Sequence, residues 1–164
     1  LYSVPQFTGV TLETAEVLAL AEHSNIVGIK ESSGDVRRVG ELVAAAASSF
    51  QVLTGGAAVV LPSLSVGARG AILALACALP EKCVALYHLF RNRDWESARE
   101  LQLILVRASK LIVSECGIAG VKFIMDQRGY RGGVPRLPLP SLRDEQKARL
   151  TELLLRLEPA AARA

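Results

Sequence analysis

A lysine closes the apolar run Ile26, Val27, Gly28 and Ile29, and a tyrosine stands 28 positions before it, in "YSVP". Burying an ammonium is costly unless it is paired or deprotonated, so Lys30 either snorkels to solvent or is chemically employed. A lysine desolvated among apolar neighbours loses proton affinity. Its neutral amine can then add to a ketone, and the resulting Schiff base draws electrons out of an adjacent carbon–carbon bond. Such a cleavage also needs a nearby proton relay, which a phenol such as Tyr2 supplies at the developing alkoxide. Taken singly, each residue has a plainer reading. Tyr2 could be a packing residue with a hydrogen-bonded tip, Asp35 suits a helix N-cap in "GDVRRVG", and Gly55 and Gly56 could form an ordinary turn or admit a substrate to bare backbone N–H groups.

These residues fall at the ends of predicted strands. Residues 1 to 4 read as the end of one strand, stopped by Pro5 and followed by a "QFTG" loop in which Gly9 can take a positive φ. Thr11 is the expected N-cap of a helix whose period is traced by Leu12, Ala15, Leu18 and Ala21 or Glu22. Residues 26 to 30 form a wholly buried strand. Val39, Leu42, Val43, Ala46, Ala47 and Phe50 trace the next helix, and "QVLTGG" a further strand. "AAVVLPSLSVGA" predicts a short helix bent or restarted at Pro62, and "GAILALA", residues 70 to 76, a fourth strand. From Glu81 onward the pattern is helical, near 81–91, 94–110, 117–128 and 141–157, with a Gly- and Pro-rich connector before the last segment. Strands alternating with helices, and apolar on both faces, predict a parallel α/β sheet, either doubly wound or a barrel. In both, chemistry belongs at the carboxyl ends of the strands, where Tyr2, Ser3, Lys30, Ser32, Ser33, Thr54, Gly55 and Gly56 converge.

Composition narrows the partners. A 51% hydrophobic, 21% charged chain of 164 residues has room for a sizeable core, and a net charge of +3 from scattered residues gives no nucleic-acid or membrane-surface signature. No uninterrupted apolar run reaches the about 18 residues that span a bilayer. Small molecules or further copies of the chain are the expected partners. Cys77, Cys83 and Cys116 match no zinc or redox spacing, and His23 and His88 lie far apart, so neither a metal nor another cofactor is expected. The opening "LYSVP" carries no methionine and no leader, so the sequence reads as starting inside something longer.

The segments "LYSVPQFTG", "IVGIKESSGD", "VLTGG" and "PSLSVGARGAI", in that order, resemble the dihydrodipicolinate synthase and N-acetylneuraminate lyase family of Schiff-base aldolases. The tail "CGIAGVKFIMDQRGYRGGVPRLPL" is most similar to the 4-hydroxy-2-oxoglutarate aldolase branch. The resemblance implies the C-terminal half of a (β/α)8 TIM barrel plus C-terminal helices, with barrel strands 5 to 8 in residues 1–78 and a helical region in 79–164. It implies Lys30 as the imine-forming lysine, Tyr2 as proton relay, and Ser32 and Gly55 at the substrate. The implied reaction is cleavage of 4-hydroxy-2-oxoglutarate to pyruvate and glyoxylate without metal, in a homo-oligomer such as a tetramer. Mitochondria are the expected location, with the cytoplasm as the alternative.

Departures shape the alternatives. The family's dihydrodipicolinate synthases carry an arginine after the tyrosine motif, where this chain has Phe7, and many members have an asparagine where it has Cys77. The first four strands, their carboxylate-holding Ser/Thr loop and a second relay tyrosine have no counterpart here, whereas such a barrel needs roughly 250 residues. Half a barrel implies unpaired edges at "LYSV" and "GAILA" and an uncovered inner face. A dihydrodipicolinate synthase or other pyruvate-dependent aldolase is therefore one alternative. A non-catalytic, truncated interaction protein is the other.

Overall fold

A computed structural model describes residues 1–157; the predicted helical region runs on to residue 164, of which 158–164 lie outside the described residues. Four strands, β1 (Tyr2–Ser3), β2 (Gly28–Glu31), β3 (Gln51–Thr54) and β4 (Gly70–Ala71), form one parallel sheet in the order β1-β2-β3-β4. Helices α1 (Pro5–Thr8) and α2 (Thr14–Ala21) separate β1 from β2, and α3 (Val36–Ala45) separates β2 from β3. A 3₁₀ turn (Ala57–Val59) runs into α4 (Val60–Ser65) before β4. The remainder is helical: α5 (Ala74–Ala78), α6 (Pro80–Arg91), α7 (Trp95–Ser109) continuing into a π-helical turn (Lys110–Glu115), α8 (Gly117–Gln127) and α9 (Asp144–Leu157). Among the described residues, no helix is long and apolar enough to cross a membrane.

Alternation along the strands sorts their side chains. Ile29 and Val52 are buried on the outer face, where they pack with Val17 of α2, Val39 and Leu42 of α3, and Phe50. At about 1.5–3 kcal/mol for each large side chain removed from water, this cluster fixes which face of the sheet meets the helices. A second cluster, including Leu64, Leu75, Leu86, Leu105, Ile112, Ile124 and Leu150, joins α4 to the C-terminal helices. The inner face is open. Tyr2 is 51% exposed, Ile72 50%, and Lys30 and Leu53 are half-buried around a concavity of about 410 Å³. The outermost strands are β1 and β4, at the two predicted edges.

Several expectations need correction. "PQFT" is a helical turn ending at Gly9 in the left-handed region (φ 68°), because Pro5 at its first position fits helix geometry. The next helix is capped by Glu13 rather than Thr11: Glu13 and Glu16 form a reciprocal capping box, and the residue it buries is Val17, not Leu12 or Ala15. The run 26–30 is not wholly buried, since pairing begins at Gly28 and Val27 is 71% exposed. Helix α3 ends at Ala45, leaving Ala47 and Phe50 beyond it, while Pro62 sits inside α4's first turn, where it interrupts nothing. Only Gly70–Ala71 of the predicted 70–76 strand pairs with β3; "ALACA" turns helical, in keeping with the helix preference of alanine and leucine.

Candidate functional site

The register of β1 against β2 places Tyr2 directly beside Lys30. Because successive side chains alternate across a sheet, both project to the inner face, and Lys30 Nζ lies 4.1 Å from the Tyr2 ring centroid. Twenty-eight positions apart in sequence, the two become neighbours through a strand pairing that the backbone bonds Lys30 N–H to Leu1 O (3.0 Å) and Ser32 N–H to Ser3 O (2.9 Å) hold in register. Hydrogen bonding to the Lys30 amine, with a lesser contribution from its charge, holds the Tyr2 phenol below its ordinary value of 10.0, outweighing burial, which acts in the opposite direction. The Ser32 hydroxyl acts on the phenol in the same direction, while its buried Oγ makes no hydrogen bond of normal geometry.

Gly55 completes the group. Its N–H donates to the Glu31 carbonyl (2.7 Å), drawing the turn after β3 onto the end of β2. A Cβ at position 55 would stand 2.8 Å from Ser32 Cβ and 3.1 Å from Lys30 Cε, so the bare backbone is what lets the lysine stem and Ser32 pack there. Thus Lys30, Tyr2, Ser32 and Gly55 are all brought together. Thr54 and Ser3, also at strand ends, are buried on the outer face, and Ser33 is exposed in the loop. Beside Ser32 and Gly55 lies a hollow of about 220 Å³, closed by Ala74 and by Ser109 and Ser114 from the end of α7 and its π turn.

The loop between β2 and α3 is wired internally. Gly34 takes φ 85°, which glycine adopts without strain. The Asp35 N–H donates to Ser33 Oγ (3.1 Å), and the Asp35 carboxylate accepts from the N–H groups of Arg37 (2.9 Å) and Arg38 (3.3 Å), the N-cap expected of it. Sequence reasoning missed the support behind this loop. Glu31, 1% exposed, pairs with Arg38, 8% exposed, at 2.7 Å, and Gln6 Nε2 donates to Ser32 O (3.0 Å). Gln102 of α7 was missed too: its side chain accepts from Leu61 N–H (2.8 Å) and donates to Ala57 O (2.9 Å), steadying the turn that follows Gly55 and Gly56. An acid on the buried face at the end of a strand, seven positions before an arginine on the helix it feeds, was the available signal for the first pair.

Among the described residues, no group of three or more His, Cys, Asp or Glu side chains is placed to hold a metal ion. Cys77 is exposed near the end of α5, while burial pushes the Cys83 thiol up to about 11.

The sequence model of the Dihydrodipicolinate synthetase family matches residues 1–157. The 4-hydroxy-tetrahydrodipicolinate synthase of Natronomonas pharaonis is 36% identical over 159 residues, covering 96% of this chain and 54% of that protein. The corresponding protein of Methanosphaerula palustris is 35% identical, over 94% of this chain and 53% of its own length. The solved 4-hydroxy-tetrahydrodipicolinate synthase of Methylacidiphilum fumariolicum superposes with a TM-score of 0.87 at 34% identity, over 94% of this chain and 52% of that one. The chain therefore spans about half the length of the relatives it matches, and its parallel α/β sheet corresponds to part of their fold.

Proposed function

Because the chain belongs to the dihydrodipicolinate synthetase family, we propose that it carries the imine-forming half of a Schiff-base aldolase whose substrate is 4-hydroxy-2-oxoglutarate. The observation that carries this reading is the amine of Lys30 set 4.1 Å from the Tyr2 ring, at the carboxyl end of adjacent parallel strands. Lys30 would attack the C2 carbonyl, and loss of water would leave an iminium. Tyr2 would take the proton of the C4 hydroxyl as the C3–C4 bond breaks. The bonding pair would move to C3 as an enamine while glyoxylate departs. Protonation at C3 and hydrolysis would then release pyruvate and restore the amine. Ser32 and the open backbone at Gly55 are the proposed substrate contacts.

A second reading, condensation of pyruvate with aspartate semialdehyde, is favoured by the names of the relatives at 35–36% identity. Against it stands Phe7, 85% exposed, where that activity in this family uses an arginine for the aldehyde's carboxylate. The test has two stages. Pyruvate with cyanoborohydride should add one reduced pyruvyl group at Lys30, mapped by peptide mass spectrometry; an unmodified Lys30 overturns the imine mechanism. Turnover of 4-hydroxy-2-oxoglutarate should then exceed condensation onto aspartate semialdehyde, and the reverse ranking selects the second reading. Retro-aldol turnover by these 164 residues alone would count against a purely non-catalytic, interacting role.

A further inference from the structure

Glu31 follows Lys30 on β2, so its carboxylate lies on the opposite face of the sheet, away from the site and out of water. Both oxygens are engaged. Oε2 accepts from Arg38 Nε at 2.7 Å, and Oε1 accepts from the Ser33 backbone N–H at 2.6 Å. Arg38 also donates through Nη2 to the Leu12 carbonyl, so the pair ties β2, α3 and the segment before α2 into one unit. Replacing a buried ion pair by well-packed apolar side chains is often neutral for stability, so stability alone gives little reason for this one. Geometry gives a better reason. The bond to Ser33 closes the chain around Ser32, whose carbonyl is held on its other side by Gln6, while the Glu31 carbonyl holds Gly55. Ser32 Oγ is thereby set against Gly55 as a buried hydroxyl with its hydrogen-bonding capacity unspent.

We propose that Glu31, locked by Arg38, is a positioning residue: from the far side of the sheet it fixes the Ser32 hydroxyl to meet an oxygen of the ketoacid joined to Lys30. This rests on the imine reading above, and it assigns the Glu31–Arg38 pair a role in reactivity rather than in folding. The carboxylate touches no reacting atom. Its influence passes through one backbone N–H.

The test uses the full chain carrying Glu31→Met together with Arg38→Met, which removes the clamp without leaving an unpaired buried charge. Amide exchange at Ser33 should quicken about 10-fold while the β2–β3 amides keep their protection. Capture of pyruvate on Lys30 should slow by about 10- to 100-fold. Ser32→Ala should slow capture in the native background and add nothing in the double variant. Glu31→Gln, which keeps an acceptor for Ser33, should retain most of the capture rate even if less heat-stable. It also serves if the double variant does not fold. Unchanged Ser33 exchange, equal effects of Ser32→Ala in both backgrounds, or loss of capture in Glu31→Gln would each overturn the proposal. Should native Lys30 capture no pyruvate at all, the imine reading fails, and the exchange measurement still decides whether the clamp exists.

Discussion

Gly55→Ala puts the site's packing to its most direct trial. The added Cβ would meet Ser32 Cβ at 2.8 Å and Lys30 Cε at 3.1 Å. Carbon atoms rest at about 3.5–4.0 Å, so the first pair must part by about 0.7–1.2 Å. The Ser32 hydroxyl could rotate aside, but its Cβ cannot, so the backbone of the loop after β2 must yield. That loop is held by Glu31, Gln6 and Asp35, and overpacking against a fixed backbone costs about 1–3 kcal/mol. For a chain of this size the loss corresponds to a fall in Tm of about 2–12 °C. Lys30 is displaced too, and a misplacement near 1 Å lowers reactivity by about 10²-fold. Thermal unfolding followed by circular dichroism, with cyanoborohydride capture of pyruvate, measures both. Adding Ser32→Gly removes the nearer obstacle but not the Lys30 stem, so it should restore Tm while leaving capture slow. An alanine tolerated in both assays would refute the close packing of Gly55, Ser32 and Lys30.

Further expectations concern single groups. Tyr2→Phe should leave pyruvate capture on Lys30 within a few-fold yet lower retro-aldol kcat by about 10²–10⁴-fold, as steady-state kinetics would show, if the phenol relays the proton. Ultraviolet titration should find the Tyr2 phenol ionising below 10.0, and Lys30→Met should move it back up, because the amine is the chief cause of the shift. The sign follows: a phenol whose folded value is lowered favours the folded state above about pH 10, and that contribution fades as pH falls through the folded value. Since Tyr2 is half-exposed, water screens the effect, and the titration rather than stability is the sensitive readout. Gln102→Leu would leave Leu61 N–H and Ala57 O without their partner, at about 1–3 kcal/mol for each group left unsatisfied, read as a lower urea midpoint.

Much of the site was legible because parallel-sheet chemistry follows strand ends. The apolar runs before Lys30 and Gly55 mark where β2 and β3 stop, and the tyrosine motif marks β1; once the strands pair in sequence order, Tyr2 and Lys30 must meet. Periodicity also located α6, α7 and α8, whose ends differ from expectation by at most one residue. It failed where two signals compete. "GAILALA" is equally apolar as strand or helix, and alanine settles it after two paired residues. Nor can period show that Val17 rather than Leu12 is buried, because Leu12 lies before the helix and the apolar residues of α2, Val17, Leu18 and Leu20, are spread around it rather than confined to one face. Glu31–Arg38 and Gln102 stayed hidden for another reason: they are polar groups whose burial is set by tertiary contacts between separate elements.

Strand β2 carries two functions on two faces, and the alternation of side chains keeps them apart. On the outer face Ile29 and Glu31 are buried, one in the apolar cluster and one in an ion pair, so the strand's position is fixed from behind. On the inner face Gly28 and Lys30 look into an open concavity whose other walls, Leu53 and Ile72, are apolar and partly wet. The placement of Lys30, Tyr2, Ser32 and Gly55 draws on local backbone bonds among the first 57 residues and on Gln102 of α7, which holds Ala57 just beyond Gly55 and Gly56. Any group brought over Leu53 and Ile72 would lower the polarity around the amine, and low polarity strengthens every charge interaction there, that of Lys30 with Tyr2 included.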